Sequence, residues 1–340
     1  MSRSSRNLTP QAVKESRILI LTDLDGTLLD SHYGWRAAGA MIKRLRRQSI
    51  PLVLSTSKTG AELSPLRRRM RHGDPYIAEN GGTLGLPAAF LSGLGFPYAL
   101  RRDVVLELGW NQRRLSTLLE KLAREAEVRL RTLPQMKLQE VAQRTGLTIA
   151  NARRARKREN SMPFTFVEAT SNHIQRFLRA AEEHGAKVAK GARFWHLTMG
   201  SDKGDAMNAL VLLIRLLTKE NVQTIAAGDS PIDLPMLRQA DLAVLFPGSD
   251  ATVDPQLQRS VPKALVAHGN GPDAWAEAIE EALSRLRARP KTGIMTRRPV
   301  ATANAPQALA LLESFASRPP ASRWRLKVTR RKAASRSLFP

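Results

Sequence analysis

Arg17-Ile-Leu-Ile-Leu-Thr-Asp23-Leu-Asp25-Gly-Thr27-Leu-Leu-Asp30 decides the fold. Its first six residues form a continuous, partly β-branched apolar run, the pattern of a strand buried on both faces of a parallel sheet. The run breaks directly into an acidic turn, and the carboxyl end of a strand is where open α/β sheets bind ligands. A helix-period segment with Ala38, Met41, Ile42 and Leu45 on one face comes next, and a second apolar strand is predicted over 50–54. Together these make a βαβ unit.

Further along, a helix over 60–71 leads to a strand over 76–78 that closes on Glu79-Asn80-Gly81-Gly82. The pattern then changes. A hairpin is predicted at 83–86, a strand over 99–108, and a helix capped by Asn111 with Leu115, Leu118, Leu119 and Leu122 inward. Basic helices over 137–158, a strand over 164–168, a helix over 172–184 and strands over 186–190 and 193–197 complete a mixed insert. From Asp202 the parallel pattern resumes, with helices over 203–217, 231–239 and 272–286 and strands over 222–227 and 242–246. The expected organisation is an N-terminal tail over 1–17, an α/β core over 18–83 and 196–287, an α+β insert over 84–195, and a basic extension over 288–340.

The chain has 340 residues, of which 54 are Lys or Arg and 30 are Asp or Glu, a net charge of +24. That charge is uneven. Residues 285–340 hold 14 basic side chains against the single acid Glu313, and residues 84–195 hold 20 against 10. The composition of the extension predicts disorder. Nucleic acid is therefore a conceivable partner only through the extension, where Trp324 lies among Arg323, Arg325 and Lys327. Having no cysteine, the chain has no disulfide, zinc thiolate or thiol nucleophile. No apolar run approaches the ~20 residues of a membrane span, and residues 1–17 lack the apolar core of a secretory signal. A cytoplasmic location without a membrane partner is the expectation.

Asp23 and Asp25, two positions apart in extended chain, project the same way, and Gly26 lets the backbone amides turn toward an anion. A second acidic pair, Asp229 and Asp233, follows another strand in Gly228-Asp-Ser-Pro-Ile-Asp233; alone, such a stretch is usually a turn. Four carboxylates at one sheet edge repel unless a hard cation joins them, and oxygen-only ligation suits Mg²⁺. Lys203 opens a helix, where the macrodipole disfavours a cation, so it is either solvated or held by the acidic cluster. Thr56 ends the second strand and either donates to a phosphoryl oxygen or caps the next helix.

These motifs resemble those of the haloacid dehalogenase (HAD) phosphohydrolases: a DxDGT sequence at Asp23, a strand-end Thr56, Lys203, and GDSxxD at Asp229 and Asp233, in that order. The insert resembles the cap of the Cof-like class, which implies an α/β, Rossmannoid parallel-sheet core carrying an α+β cap. Thr56-Ser-Lys-Thr59, Glu79-Asn-Gly81, Arg158-Glu-Asn-Ser161, Gly191-Ala-Arg-Phe-Trp-His196 and the Asp229 loop are similar to mannosyl-3-phosphoglycerate phosphatases. That resemblance implies hydrolysis of mannosyl-3-phosphoglycerate, with the glucosyl analogue or another sugar phosphate as alternatives. An alternative of another class is a binding protein with a vestigial phosphatase core.

In the roles the resemblance and the chemistry imply, Asp23 is the nucleophile and Asp25 the general acid and base. Thr56 and Lys203 hold the phosphoryl oxygens, and Asp23, Asp25, Asp229 and Asp233 hold Mg²⁺. Ser57, Lys58, Asn80, Arg158, Glu159 and His196 are the substrate-binding candidates, although His196 equally suits a structural role. Three positions depart from the family pattern: Ile232 stands where relatives carry Asn, Met162 where they carry Glu, and Asn160 where they carry an aromatic residue.

Overall fold

The computed structural model describes residues 17–288 except 97–99, 101–102 and 192, together with the backbone of 325–328. Its larger sheet runs, in spatial order, β12 (Leu265–Val266), β11 (Leu242–Leu245), β10 (Val222–Gly228), β1 (Arg17–Thr22), β2 (Leu52–Ser55), β3 (Tyr76–Ala78), β4 (Thr83–Leu86), β5 (Val104–Glu107) and β13 (Arg325–Val328). From β12 through β3 every pairing is parallel; β4, β5 and β13 add on antiparallel.

Alternate residues of β1 serve opposite layers, as period-two geometry demands. Ile20 packs with Met41 and Leu45 of α1 (Gly39–Arg47), Leu63 of α2 (Gly60–Met70) and Trp275 and Ile279 of α11 (Gly271–Ala288). Leu19 and Leu21 face the other way, onto Leu210 and Leu213 of α8 (Lys203–Thr218), Leu237 of α9 (Leu234–Gln239) and Leu91 of α3 (Ala88–Gly93). Trp275 Nε1 donates to Thr22 Oγ1 at 2.9 Å, tying α11 to the last residue of β1.

A second, four-stranded antiparallel sheet has the order β6 (Arg129–Thr132), β7 (Met162–Val167), β9 (Trp195–Thr198), β8 (Lys187–Lys190). Leu115 and Leu119 of α4 (Gln112–Glu125) and Phe177 of α7 (Ser171–Glu183) pack on its Phe164 and Leu197. Two short helices, α5 (Leu138–Thr145) and α6 (Ile149–Ala155), have a small core of their own around Val141, Ala152 and Phe194.

The strands at the front of the expected 84–195 insert pair within the large sheet. β4 and β5 extend the large sheet, because Leu84, Leu86, Val104 and Leu106 bury against the α8 layer. At the other end β9 crosses position 195 and belongs wholly to the small sheet. The two connections between the bodies run side by side, with Trp110 N–H donating to the Met199 carbonyl at 2.8 Å. Within the extension, 325–328 pair antiparallel with β5, whose outer edge offers backbone hydrogen-bonding groups. The remainder of the extension, with Arg323 and Trp324, and the tail over 1–16 lie outside the described residues.

Candidate active site

Register places the acidic motifs together. Thr22 is level with Leu54 of β2 and Ala227 of β10, so Asp23, Thr56 and Asp229 all emerge from one edge of the sheet. Asp23 N–H donates to the Ala227 carbonyl at 2.9 Å. Gly26 turns with φ +82°, and a Cβ there would lie 2.6 Å from Asp229 Oδ2, so only glycine lets the two acidic loops meet. Thr27 Oγ1 donates to Asp229 Oδ1 at 3.1 Å. Oxygens of Asp23, Asp229 and Asp233 lie within 4.8 Å of one another.

Lys203 is the cation of this cluster. Although it starts α8, its Nζ is buried 2.5 Å from both Asp23 Oδ1 and Asp233 Oδ1. Burial alone would lower its pKa, but those two carboxylates outweigh burial and hold it above the usual lysine value. The Asp202–Asp205 capping box satisfies the exposed start of the helix, with Asp205 N–H donating to Asp202 Oδ1 at 2.8 Å. Gly81 (φ +98°) passes so close that a Cβ would lie 2.0 Å from the Asp202 carbonyl, which fixes where the helix begins.

Burial, with the charges of Asp233, Asp229 and Asp25, pushes the Asp23 carboxyl well above the usual range against the pull of Lys203. Asp229 is pushed up to about 7 by burial and by Asp233. Both shifts come chiefly from burial, and the neighbouring carboxylates add to them. Asp233 is fully engaged: its Oδ2 accepts from Asp229 N–H (3.2 Å), Ser230 N–H (3.1 Å) and Ser230 Oγ (3.0 Å).

The ambiguity at Thr56 resolves in the loop after β2. Thr59, not Thr56, caps α2, in a reciprocal box with Glu62. Thr56 Oγ1 accepts from Lys58 N–H at 3.2 Å, leaving its own proton for an acceptor. Lys58 Nζ pairs with Asp25 Oδ2.

Of the substrate-binding candidates, Ser57, Lys58, Asn80 and Arg158 gather at this loop. Asn80 N–H donates to the Thr56 carbonyl at 3.1 Å, and its buried Oδ1 has no partner among the described residues. Arg158 joins the two bodies: Nη1 donates to the Ser57 carbonyl (2.8 Å) and to Ser161 Oγ (3.1 Å). His196 is buried near that guanidinium. Burial, with a contribution from Arg158, pushes its pKa down to about 3, so the ring is neutral. The Glu159 side chain is exposed while its backbone is engaged.

Glu79 stood in a stretch that carries the family resemblance but was not among the candidate site residues. Its buried carboxylate accepts from the N–H groups of Glu159 (3.0 Å) and Asn160 (2.9 Å) and from Ser161 Oγ (2.8 Å), clasping the insert onto the core. An acidic residue at a strand end before Asn-Gly-Gly was the available signal. Two of the three family departures, Asn160 and Met162, belong to this junction and the insert's core, while Ile232 lies in the Pro231–Asp233 turn of the acidic site. Asn160 accepts from Thr83 Oγ1 at 3.0 Å and donates to the Gly109 carbonyl at 3.3 Å, while Met162 is buried in the core beneath β7.

Residues 20–89 match the haloacid dehalogenase-like hydrolase family. The glucosyl-3-phosphoglycerate/mannosyl-3-phosphoglycerate phosphatase of Methanococcoides burtonii is 33% identical over 269 residues, 78% of this chain and 97% of that protein. The protein of the same name from Persephonella marina is 29% identical over 274 residues, 79% and 98% of the two chains. Among solved structures, the HAD subclass IIB sugar phosphatase BT4131 shares the fold at TM-score 0.52 and 14% identity, over 80% of this chain and 99% of its own.

Fold and relatives together define a phosphoric monoester hydrolase of the HAD superfamily, with the fold of the subclass IIB structures. Within that superfamily the chain belongs to the glucosyl-3-phosphoglycerate/mannosyl-3-phosphoglycerate phosphatase family. A vestigial-core binding protein is not what these findings describe. Among the described residues, no helix is long and apolar enough to cross a membrane.

Proposed function

We propose that the protein hydrolyses mannosyl-3-phosphoglycerate, with the glucosyl analogue as a second substrate, through a phosphorylated Asp23 and with Mg²⁺ bound. The observation that carries this reading is the convergence of Asp23, Asp229 and Asp233 beside buried Lys203, in a chain that spans nearly all of two relatives bearing both substrates in their name.

The donor set suits a hard dication. It is all oxygen, it holds more carboxylates than Lys203 neutralises, and the space beside Gly26 and Asp229 is one that a Cβ would fill. Because both oxygens of Asp233 are committed, Asp23, Asp229 and the Asp25 carbonyl are the direct ligands in this reading, and Asp233 orients Asp229 and Lys203. A bound Mg²⁺ would neutralise charge between nucleophile and phosphoryl group.

In the first half-reaction, Asp23 attacks phosphorus in line as the bond to the glycerate oxygen breaks. Asp25 gives that oxygen its proton. In the second, Asp25 takes a proton from the water that attacks the phosphorylated Asp23, freeing phosphate. Lys203 Nζ and Thr56 Oγ1 donate to the equatorial oxygens, where transition-state charge spreads. The body over 110–199 closes the site and recognises the leaving group.

Phosphate release from mannosyl- and glucosyl-3-phosphoglycerate, set against common sugar phosphates with Mg²⁺ or with chelator, tests the reading. The expected result is a preference for the two glycosyl esters that chelator abolishes. Preference for another phosphomonoester would overturn the substrate, and full activity in chelator would overturn the metal.

A further inference from the structure

A cavity of about 630 Å³ opens between the core and the insert, within the size range of small-molecule sites. Leu29 and Lys58 stand on its lining; Leu29 is bridged to Asp25 through the backbone, and Lys58 is paired with the Asp25 carboxylate. The cavity therefore adjoins the group assigned to protonate the leaving oxygen. Tyr33 and Trp35 contribute to the lining from the core, and Leu147 and Asn151 from the insert.

Tyr33 is the unusual residue of this lining. It is 43% exposed, and it holds φ +61°, a left-handed conformation that costs a bulky residue energy. The surrounding loop enforces it. Asp30 Oδ1 accepts from His32 N–H (2.8 Å) and Gly34 N–H (2.7 Å), and the Asp30 carbonyl accepts from Tyr33 N–H (3.0 Å). So held, the ring lies under Lys58, with the ammonium 4.9 Å from its centroid. An exposed aromatic ring kept in a strained backbone, against the lysine that pairs with Asp25, points to a ligand.

Resting on the function proposed above, we infer that this cavity receives the glycosyl ring of the leaving group, with Tyr33 as the specificity-determining residue. The aromatic ring of Tyr33 stacks against the apolar C–H face of the sugar, Asn151 faces the sugar hydroxyls, and Asp30 positions the ring.

The test compares Tyr33→Ala, Tyr33→Phe and Tyr33→Gly, the last relieving the backbone while removing the ring. The readout is kcat/KM for a glycosyl-3-phosphoglycerate divided by that for sugar-free glycerol 3-phosphate. Loss of a stacked ring is expected to lower this ratio about tenfold in Tyr33→Ala and Tyr33→Gly, mainly through KM, with Tyr33→Phe close to the parent. An unchanged ratio in both ring-less variants overturns the inference while leaving the proposed substrate standing. If the parent instead prefers another sugar phosphate and the ratio for that ester falls in the same way, the substrate reading fails and the cavity assignment holds. A parent that prefers sugar-free esters overturns both.

Discussion

Lys203 Nζ and Asp23 Oδ1 lie 2.5 Å apart across 180 positions of sequence, in a pocket where the lysine is only 2% exposed. Replacing Lys203 with Met strands two buried carboxylates. The expected loss is about 100–1,000-fold in kcat from the missing phosphoryl donor, with about 3 kcal/mol of stability from the broken ion pairs. Lys203→Arg will not restore activity, because its broader planar head has no room. Phosphate-release kinetics and urea unfolding of the three proteins check both effects.

Asp23→Asn separates chemistry from folding. Its amide keeps the shape and Lys203 keeps Asp233, so circular dichroism should be unchanged. Turnover should fall by at least about 10³-fold, since no other carboxylate occupies the in-line position. Parent-like turnover would remove Asp23 as nucleophile.

Metal binding should release a proton near neutrality, because Asp229 titrates at about 7 in the metal-free protein and ligation requires its carboxylate. The Mg²⁺ concentration giving half-maximal activity is therefore expected to rise, by up to about tenfold per pH unit, as pH falls below 7. The same shift sets the sign for stability. With a folded pKa above the ordinary 3.8, the folded protein binds more protons between those values. Asp229 thus supports the metal-free fold at low pH and loses that support as pH rises through 7. Thermal midpoints with and without Mg²⁺ should differ more at pH 8 than at pH 6.

The Glu79 clasp predicts that insert and core loosen together. Glu79→Ala leaves two N–H groups and a hydroxyl without their acceptor, at about 1–3 kcal/mol for each group left unsatisfied. Hydrogen exchange at Glu159 and Asn160 should accelerate, and KM should rise. Unchanged exchange at those two amides would show that another contact holds the insert.

What could be read without coordinates was what local pattern encodes. The continuous apolar run of β1 and the acidic pairs after β1 and β10 required a parallel sheet with its chemistry at one edge, and register supplies that edge. β4 and β5 were legible as a hairpin over 83–86 and a strand over 99–108, but not as strands of the large sheet, because a short apolar run reads the same whichever sheet it extends. The clasp joins Glu79 to Asn160 across 81 positions, and no local spacing reports such a bond. Tyr33 depends on a backbone angle imposed by Asp30, again invisible as composition.

The extension gives the last prediction. β13 pairs with β5 from Arg325 opposite Glu107 to Val328 opposite Val104, at the end of the sheet five strands from β1. Deleting 289–340 removes none of the residues described at the Asp23 site, so turnover should stay within a fewfold of the parent. The same deletion exposes the outer N–H and C=O groups of β5, which invite pairing with another chain. The truncated protein is thus expected to self-associate while remaining active, which light scattering and phosphate release measure on one sample. An inactive but monodisperse product would instead give the extension a part in catalysis.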